Sequence, residues 1–265
     1  MYLKTIKMIA NKDPEYTPGD TKYRVTFNYH VFFIGYYLSQ RIKKERFETD
    51  GSFDAIYIFA GTENYDDIVG SQAFWDYISI PIKFDFAYYD NASERERCHY
   101  YIEIYKAALA RAARVKPIPY DKLVFWLDEL EAKNYIDTWK FRNMLIREYG
   151  LRIHFTACLT TNDFTIRADV YRKLNEPPIC GGIVVRTKPD SIHFDHITKR
   201  MAVEDNRVYI QASLGAKFFY LNLSELASGH FELHLCKSHF TRKDSIETFQ
   251  YLQRCLMYDG NDFNL

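Results

Sequence analysis

The residues best suited to metal chemistry lie near the C-terminus in two groups: His193 and His196, then His230, Glu232, His234 and Cys236. Alternate side chains of a strand share a face, so the second group would present imidazole, carboxylate and thiol groups together. A strand with one solvated face gives the same alternation without any ligand. The chain also lacks an HExxH motif and closely paired cysteines. We therefore predict no metal and no cofactor, with a metal-dependent hydrolase as an alternative.

Nucleophilic catalysis has less support in the sequence. Cys180-Gly181-Gly182 follows two prolines, and a reactive thiolate there would need a helix N-terminus or a neighbouring cation. The residues that follow, 183–185, are instead typical of a strand. GxSxG and the Gly-rich phosphate loops GxGxxG and GxxxxGK[ST] are absent. The sequence favours a binding protein over an enzyme and keeps a thiol-dependent hydrolase as an alternative.

The charge of the chain is unevenly distributed. Lys and Arg together number 35, as do Asp and Glu, and the sequence pI is near 7.1. Within residues 48–90, however, nine acids accompany a single base, Lys83. Large aromatic side chains accompany these acids. Aromatic residues anchor protein interfaces and charge steers the partner, so we predict a surface that binds a basic protein. Its predicted residues are Glu48, Asp50, Asp54, Glu63, Tyr65, Asp66, Asp67, Trp75 and Asp76.

A simpler interpretation is that these aromatic residues belong to the core and the acids are merely solvated. The zero net charge disfavours a nucleic-acid ligand, and a nucleic-acid-associated structural module is a further alternative. The chain has no apolar run long enough to cross a membrane, and no signal-peptide pattern is recognised at its start. Five scattered cysteines are typical of reduced thiols, so we predict a cytoplasmic protein.

The elements that would position these residues follow from hydrophobic periodicity. We predict strands over 23–31, 53–60 and 78–88, and helices over 31–46, from Ser93, from Tyr120 and over 136–149. Further strands are predicted over 151–159, 182–188, 191–198, 207–212, 217–223 and 230–236, with helices over 162–174 and 243–257. This order predicts an α+β fold with mostly antiparallel sheets flanking a central group of helices. We divide it into 1–150 and 151–265, or one continuous domain.

One stretch resembles a known group of proteins. An extended run, Ile80 to Tyr89, leads through Glu94 to Arg97 into an amphipathic helix over Tyr101 to Leu109. This arrangement, within residues 78–150, resembles uncharacterised stand-alone bacterial proteins of polymorphic-toxin immunity type. The chain departs from that pattern at Lys83, between Ile82 and Phe84. The resemblance implies a cytosolic protein that neutralises a partner without turnover. A nuclease toxin would be a suitable partner, because its nucleic-acid site must be cationic.

Overall fold

The first three strands form a parallel sheet in which their spatial order is their order in the sequence. The computed structural model describes residues 1–10, 21–61, 76–189, 200–211 and 215–257. β1 is Thr5–Ala10, β2 is Ala55–Gly61 and β3 is Tyr77–Lys83. On one sheet face, β-branched and other apolar side chains are at most 1% exposed: Ile6, Met8, Ile56, Ile58, Ile78 and Ile80. These side chains mark the face of the sheet that packs into the core.

Helix α1, Thr21–Glu45, joins β1 to β2 and packs on β1. A Cβ atom added at Gly35 would lie 2.8 Å from the Ile6 carbonyl oxygen, so only glycine permits this close approach. The predicted strand over 23–31 is wrong, because those residues lie in α1. The helical spacing of its buried residues outweighs their strand propensity. Those residues are Phe27, Val31, Ile34, Leu38 and Ile42.

Three helices follow β3: α2 (Phe86–Asn91), α3 (Glu94–Ala113) and α4 (Tyr120–Ala132). The predicted strand over 78–88 ends early, because the Asp85 side chain accepts from the Tyr88 N–H and caps α2. The predicted capping box of α3 is confirmed, with Ser93 and Glu96 in reciprocal hydrogen bonds. The predicted helix that begins near Tyr120 is α4.

Among the described residues, no helix has the length and apolar character that a membrane crossing requires.

The chain folds into two compact units, Met1–Asp137 and Thr138–Leu265. The second unit contains two antiparallel four-stranded sheets, and in each of them strands adjacent in sequence are neighbours. The first sheet comprises β4 (Asp137–Ile146), β5 (Leu151–Leu159), β6 (Phe164–Tyr171) and β7 (Cys180–Thr187). The second comprises β8 (Arg200–Glu204), β9 (Arg207–Gln211), β10 (Lys217–Asn222) and β11 (Leu233–Leu235). Helices α5 (Leu223–Ala227) and α6 (Lys243–Cys255) complete the unit. The α+β class is confirmed.

Two predicted helices of this region are wrong. Residues 136–149 form β4 and a short 3₁₀ turn, and half-buried Trp139 and Phe141 alternate with exposed neighbours. Leu145 in the same strand is 51% exposed. Residues 162–174 contain β6, in which every second residue from Phe164 to Val170 is fully buried. Both segments form strands because every second side chain is buried while the backbone pairs with neighbouring strands. The predicted strand over 191–198 lies outside the described residues.

Candidate functional site

Four predicted partner-binding residues are described, and two of them meet where the parallel strands begin. Asp54 precedes β2 and Asp76 precedes β3. The Asp54 N–H donates to the Asp76 carbonyl oxygen at 2.7 Å, and the Lys4 N–H donates to the Asp54 carbonyl oxygen at 2.7 Å. Parallel pairing therefore places both acids at the amino end of the sheet, far apart in sequence.

The other two acids lie on the segment that leads into β2. Glu48 forms an antiparallel bridge with Tyr2, and the Thr49 N–H donates to the Met1 carbonyl oxygen at 2.8 Å. Asp50 lies two residues further on. We call Glu48, Asp50, Asp54 and Asp76 the acidic edge. Glu63, Tyr65, Asp66, Asp67 and Trp75, which were predicted to share this surface, lie outside the described residues.

The negative charges of two members of the acidic edge are already paired with lysines of the chain. Lys4 Nζ lies 2.7 Å from the Asp54 carboxylate, and Lys116 Nζ lies 2.9 Å from the Asp50 carboxylate. Glu48 and Asp76 are exposed and form no ion pair with any residue that the structure describes. The charge available to an outside partner therefore lies mainly on Glu48 and Asp76.

Hydrogen bonds from the Ser52 and Lys116 side chains and the Ser52 backbone lower the pKa of Asp50 to about 2. A carboxyl group whose pKa is lowered in the folded state stabilises the fold at pH values above its unfolded-state pKa of about 4. This contribution disappears as the pH falls toward 2. We expect the stability difference between the wild type and Asp50→Asn to narrow over that pH interval, as measured by thermal unfolding. A difference unchanged down to pH 2 would contradict this prediction.

An aromatic pair lies beside the acids. The rings of Tyr57 in β2 and Tyr77 in β3 have centroids 4.7 Å apart, and both side chains are half-buried. Strand alternation places them on the sheet face opposite the buried row of Ile56 and Ile78. Asp76 precedes Tyr77 directly, so the aromatic pair borders the acidic edge.

A second cluster involves some of the C-terminal histidines and acids. His234 Nε2 lies 2.8 Å from a Glu225 carboxylate oxygen, and His234 Nδ1 lies 4.0 Å from Glu232. The possible ligand atoms of these three residues all lie within 4.8 Å of one another. Imidazole and carboxylates are ligands for zinc and other transition metals. His193 and His196 lie outside the described residues.

Sequence analysis did not identify Glu225. This residue lies on α5 and reaches His234 across the turn before β11, so strand alternation gives no signal for it. β11 itself is shorter than predicted and leaves His230 and Glu232 outside it.

Cys180, which was considered as a nucleophile, and Cys236, which was considered as a metal ligand, lack the features of a reactive thiolate. Burial raises the pKa of the Cys180 thiol, and the Sγ atom lies 3.8 Å from the Leu226 carbonyl oxygen. Burial also raises the pKa of Cys236, although Lys217 and Arg207 oppose that shift. Neutral thiols are poor nucleophiles, so these environments disfavour the thiol-dependent alternative.

Cys236 belongs to a cavity of about 660 Å³ on the β11-β10-β9-β8 sheet. Three cations and two tyrosines contribute to its wall. The lining residues are Arg207, Tyr209, Gly215, Lys217, Tyr220, Leu235, Cys236, Lys237 and His239. We call this cavity the cationic pocket. Arg207 lies on β9 and Lys217 on the adjacent strand β10, while Lys237 follows the end of β11.

Three arrangements could therefore carry function: the acidic edge, the cluster of Glu225, Glu232 and His234, and the cationic pocket. Comparisons of the chain with models of protein families, with curated proteins and with solved structures find no match, so these arrangements alone support a functional assignment.

Proposed function

We propose that this chain is a cytoplasmic bacterial binding protein of toxin-immunity type. It occludes a basic protein partner through the acidic edge and the neighbouring aromatic pair. The observation that carries the proposal is the fixed adjacency of Asp54 and Asp76, whose backbones share a hydrogen bond at the amino end of the sheet. This bond fixes both acids directly before the start of rigid strands, and a fixed position favours specific recognition.

The unpaired acids supply the attraction. Glu48 and Asp76 are exposed and form no ion pair within the described part of the chain, although Lys4 is close enough to interact electrostatically with Asp76. A basic side chain of a partner can therefore approach them without displacing an internal ion pair. Complementary charge of this kind raises the association rate and selects against acidic competitors.

The aromatic pair supplies apolar contact area beside that charge. Tyr57 and Tyr77 are half-buried, so part of each ring is fixed by the fold while part is accessible. Tyrosines with one apolar and one polar end are enriched among the residues that dominate binding energy. Acids around a tyrosine pair thus fit a partner with a basic rim around an apolar patch.

Occlusion of the partner's active surface requires no catalysis by this chain. A nuclease must present a cationic surface to its substrate, because phosphate contacts dominate nucleic-acid affinity. An acidic edge placed over that surface would block substrate access. This mode of action also agrees with the predicted resemblance to immunity proteins.

Capture from a lysate of the encoding organism tests the proposal. The tagged chain is expected to retain a basic protein in stoichiometric amount at low salt and to release it as salt is raised. Co-expression of the chain should relieve any growth defect that this partner causes. Retention of acidic proteins only, or a basic partner whose toxicity is unrelieved, would contradict the proposal.

A metal-dependent hydrolase is the second candidate function, and the cluster of Glu225, Glu232 and His234 favours it. Two carboxylates and one imidazole could supply three protein ligands and leave a position for water. His234 is also hydrogen-bonded to Glu225 and stacks on Tyr220 with ring centroids 4.9 Å apart. These contacts give Glu225 and His234 a structural role without a metal.

Metal analysis separates these two roles. If they are structural, the chain purified without chelator should contain far less than one zinc, manganese or iron ion per molecule, and Glu232→Gln should leave that content unchanged. Stoichiometric metal in the wild type that Glu232→Gln removes would instead support the hydrolase.

A further inference from the structure

The cationic pocket lies on the sheet face opposite the fully buried side chains of β9 and β10. Val208, Ile210, Phe219 and Leu221 of β9 and β10 are fully buried. The alternate residues Tyr209 and Tyr220 are paired across the two strands and have ring centroids 5.9 Å apart. We propose that this pocket binds a nucleotide, a phosphate anion that carries a planar base.

Charge is the first argument for an anionic ligand. Arg207 and Lys237 line the pocket, and neither forms an ion pair with a carboxylate in the described ranges. Lys217, the third cation, pairs with Glu204. Two cations that line one cavity without carboxylate partners of their own can both form charge-assisted hydrogen bonds to a phosphate group.

The cations are also held in place. The Arg207 guanidinium carbon lies 4.4 Å from the centroid of the Tyr220 ring, and its Nη1 donates to the Tyr209 hydroxyl at 3.3 Å. Lys217 Nζ lies 4.2 Å from the centroid of the Tyr209 ring. Contacts of this kind reduce the side-chain freedom that would be lost when an anion binds.

Flat surfaces are the argument for a planar base. Tyr220 lines the pocket, and its ring is held by stacking on His234, outside the lining, at an interplanar angle of 18°. Exposed Leu235 and His239 add apolar and planar surface at the rim. Nucleobases stack on such side chains and on guanidinium groups without strict base selectivity.

The cavity volume indicates the size of ligand that the pocket can hold. About 660 Å³ lies in the middle of the range of small-molecule sites, roughly 300–1,000 Å³. Inorganic phosphate would leave most of this space empty, whereas a mononucleotide would fill a large part of it. The wall provided by Cys236 is uncharged at neutral pH because burial raises its pKa.

Calorimetry on the full chain tests the proposal with defined probes: the four ribonucleoside 5′-monophosphates, adenosine, inorganic phosphate and an oligoadenylate. At least one monophosphate should bind about tenfold or more tightly than adenosine or phosphate, with affinity that falls as salt rises. Tighter binding of the oligoadenylate would support the same chemistry and assign the nucleotide to a nucleic-acid strand.

Two variants locate the binding. Lys237→Gln and Arg207→Gln should each weaken monophosphate binding about tenfold. Lys237 is exposed, so its variant keeps the test valid even if Arg207→Gln fails to fold. Lys243→Gln is the matched control, since that side chain is 91% exposed on α6 and does not line the pocket. Equal affinity for phosphate and nucleotides, no binding of any probe, or normal binding by Lys237→Gln would overturn the proposal.

Discussion

Phe84→Ala is expected to lower the free energy of unfolding by about 3–5 kcal/mol. Phe84 is 2% exposed and directly follows β3, where its N–H donates to the Gly61 carbonyl oxygen at 2.7 Å. Its ring lies within 6.3 Å, centroid to centroid, of five other aromatic rings: Phe27, Phe86, Tyr89, Tyr100 and Tyr101. The truncation leaves a cavity that these rings from three helices cannot fill.

Urea unfolding followed by circular dichroism measures this loss. Phe125→Ala is the matched control, because Phe125 is 63% exposed on α4 and should change stability by about 0.5 kcal/mol or less. A loss at Phe84 as small as that of the control would mean that this aromatic cluster does not hold the first unit together.

Reversing the unpaired charges of the acidic edge is expected to have the largest effect on binding. Glu48→Lys combined with Asp76→Lys should weaken the complex with the basic partner about 100-fold, mainly through slower association. The melting temperature should change little, because neither acid forms an ion pair within the described chain. Kinetics of binding to the purified partner give both rate constants.

The control for charge reversal must change net charge equally. Glu148→Lys combined with Glu247→Lys does so at two exposed positions of the second unit. Equal affinity of the edge variant and the wild type would remove Glu48 and Asp76 from the interface. Equal losses in both double variants would mean that only overall charge matters.

The fold was predictable wherever local pattern and burial agree. The capping box at Ser93 and the buried helical stripe behind it identified α3 correctly. The segment 23–31 was assigned incorrectly because its aromatic and β-branched residues fit a strand locally. Phe27 and Val31 are buried at i, i+4 spacing within α1. Tertiary burial against the sheet selects the helix.

The candidate sites depended on long-range pairing that composition does not encode. The sequence identified Asp54 and Asp76 as acids of one segment, but their adjacency follows from the parallel register of β2 and β3. The pocket cations Arg207 and Lys217 were not identified. Their convergence depends on an antiparallel pair with an irregular register between Lys217 and Phe219, which alternation alone does not predict.

Site-specific photo-crosslinking tests the central claim most directly, because it reports which surface touches the partner. A benzophenone amino acid replaces Tyr2, which is 38% exposed and paired with Glu48, or Tyr251, which is 41% exposed on α6 of the second unit. The proposal predicts that the basic partner is crosslinked from position 2 and not from position 251. Crosslinking from position 251 alone would contradict it.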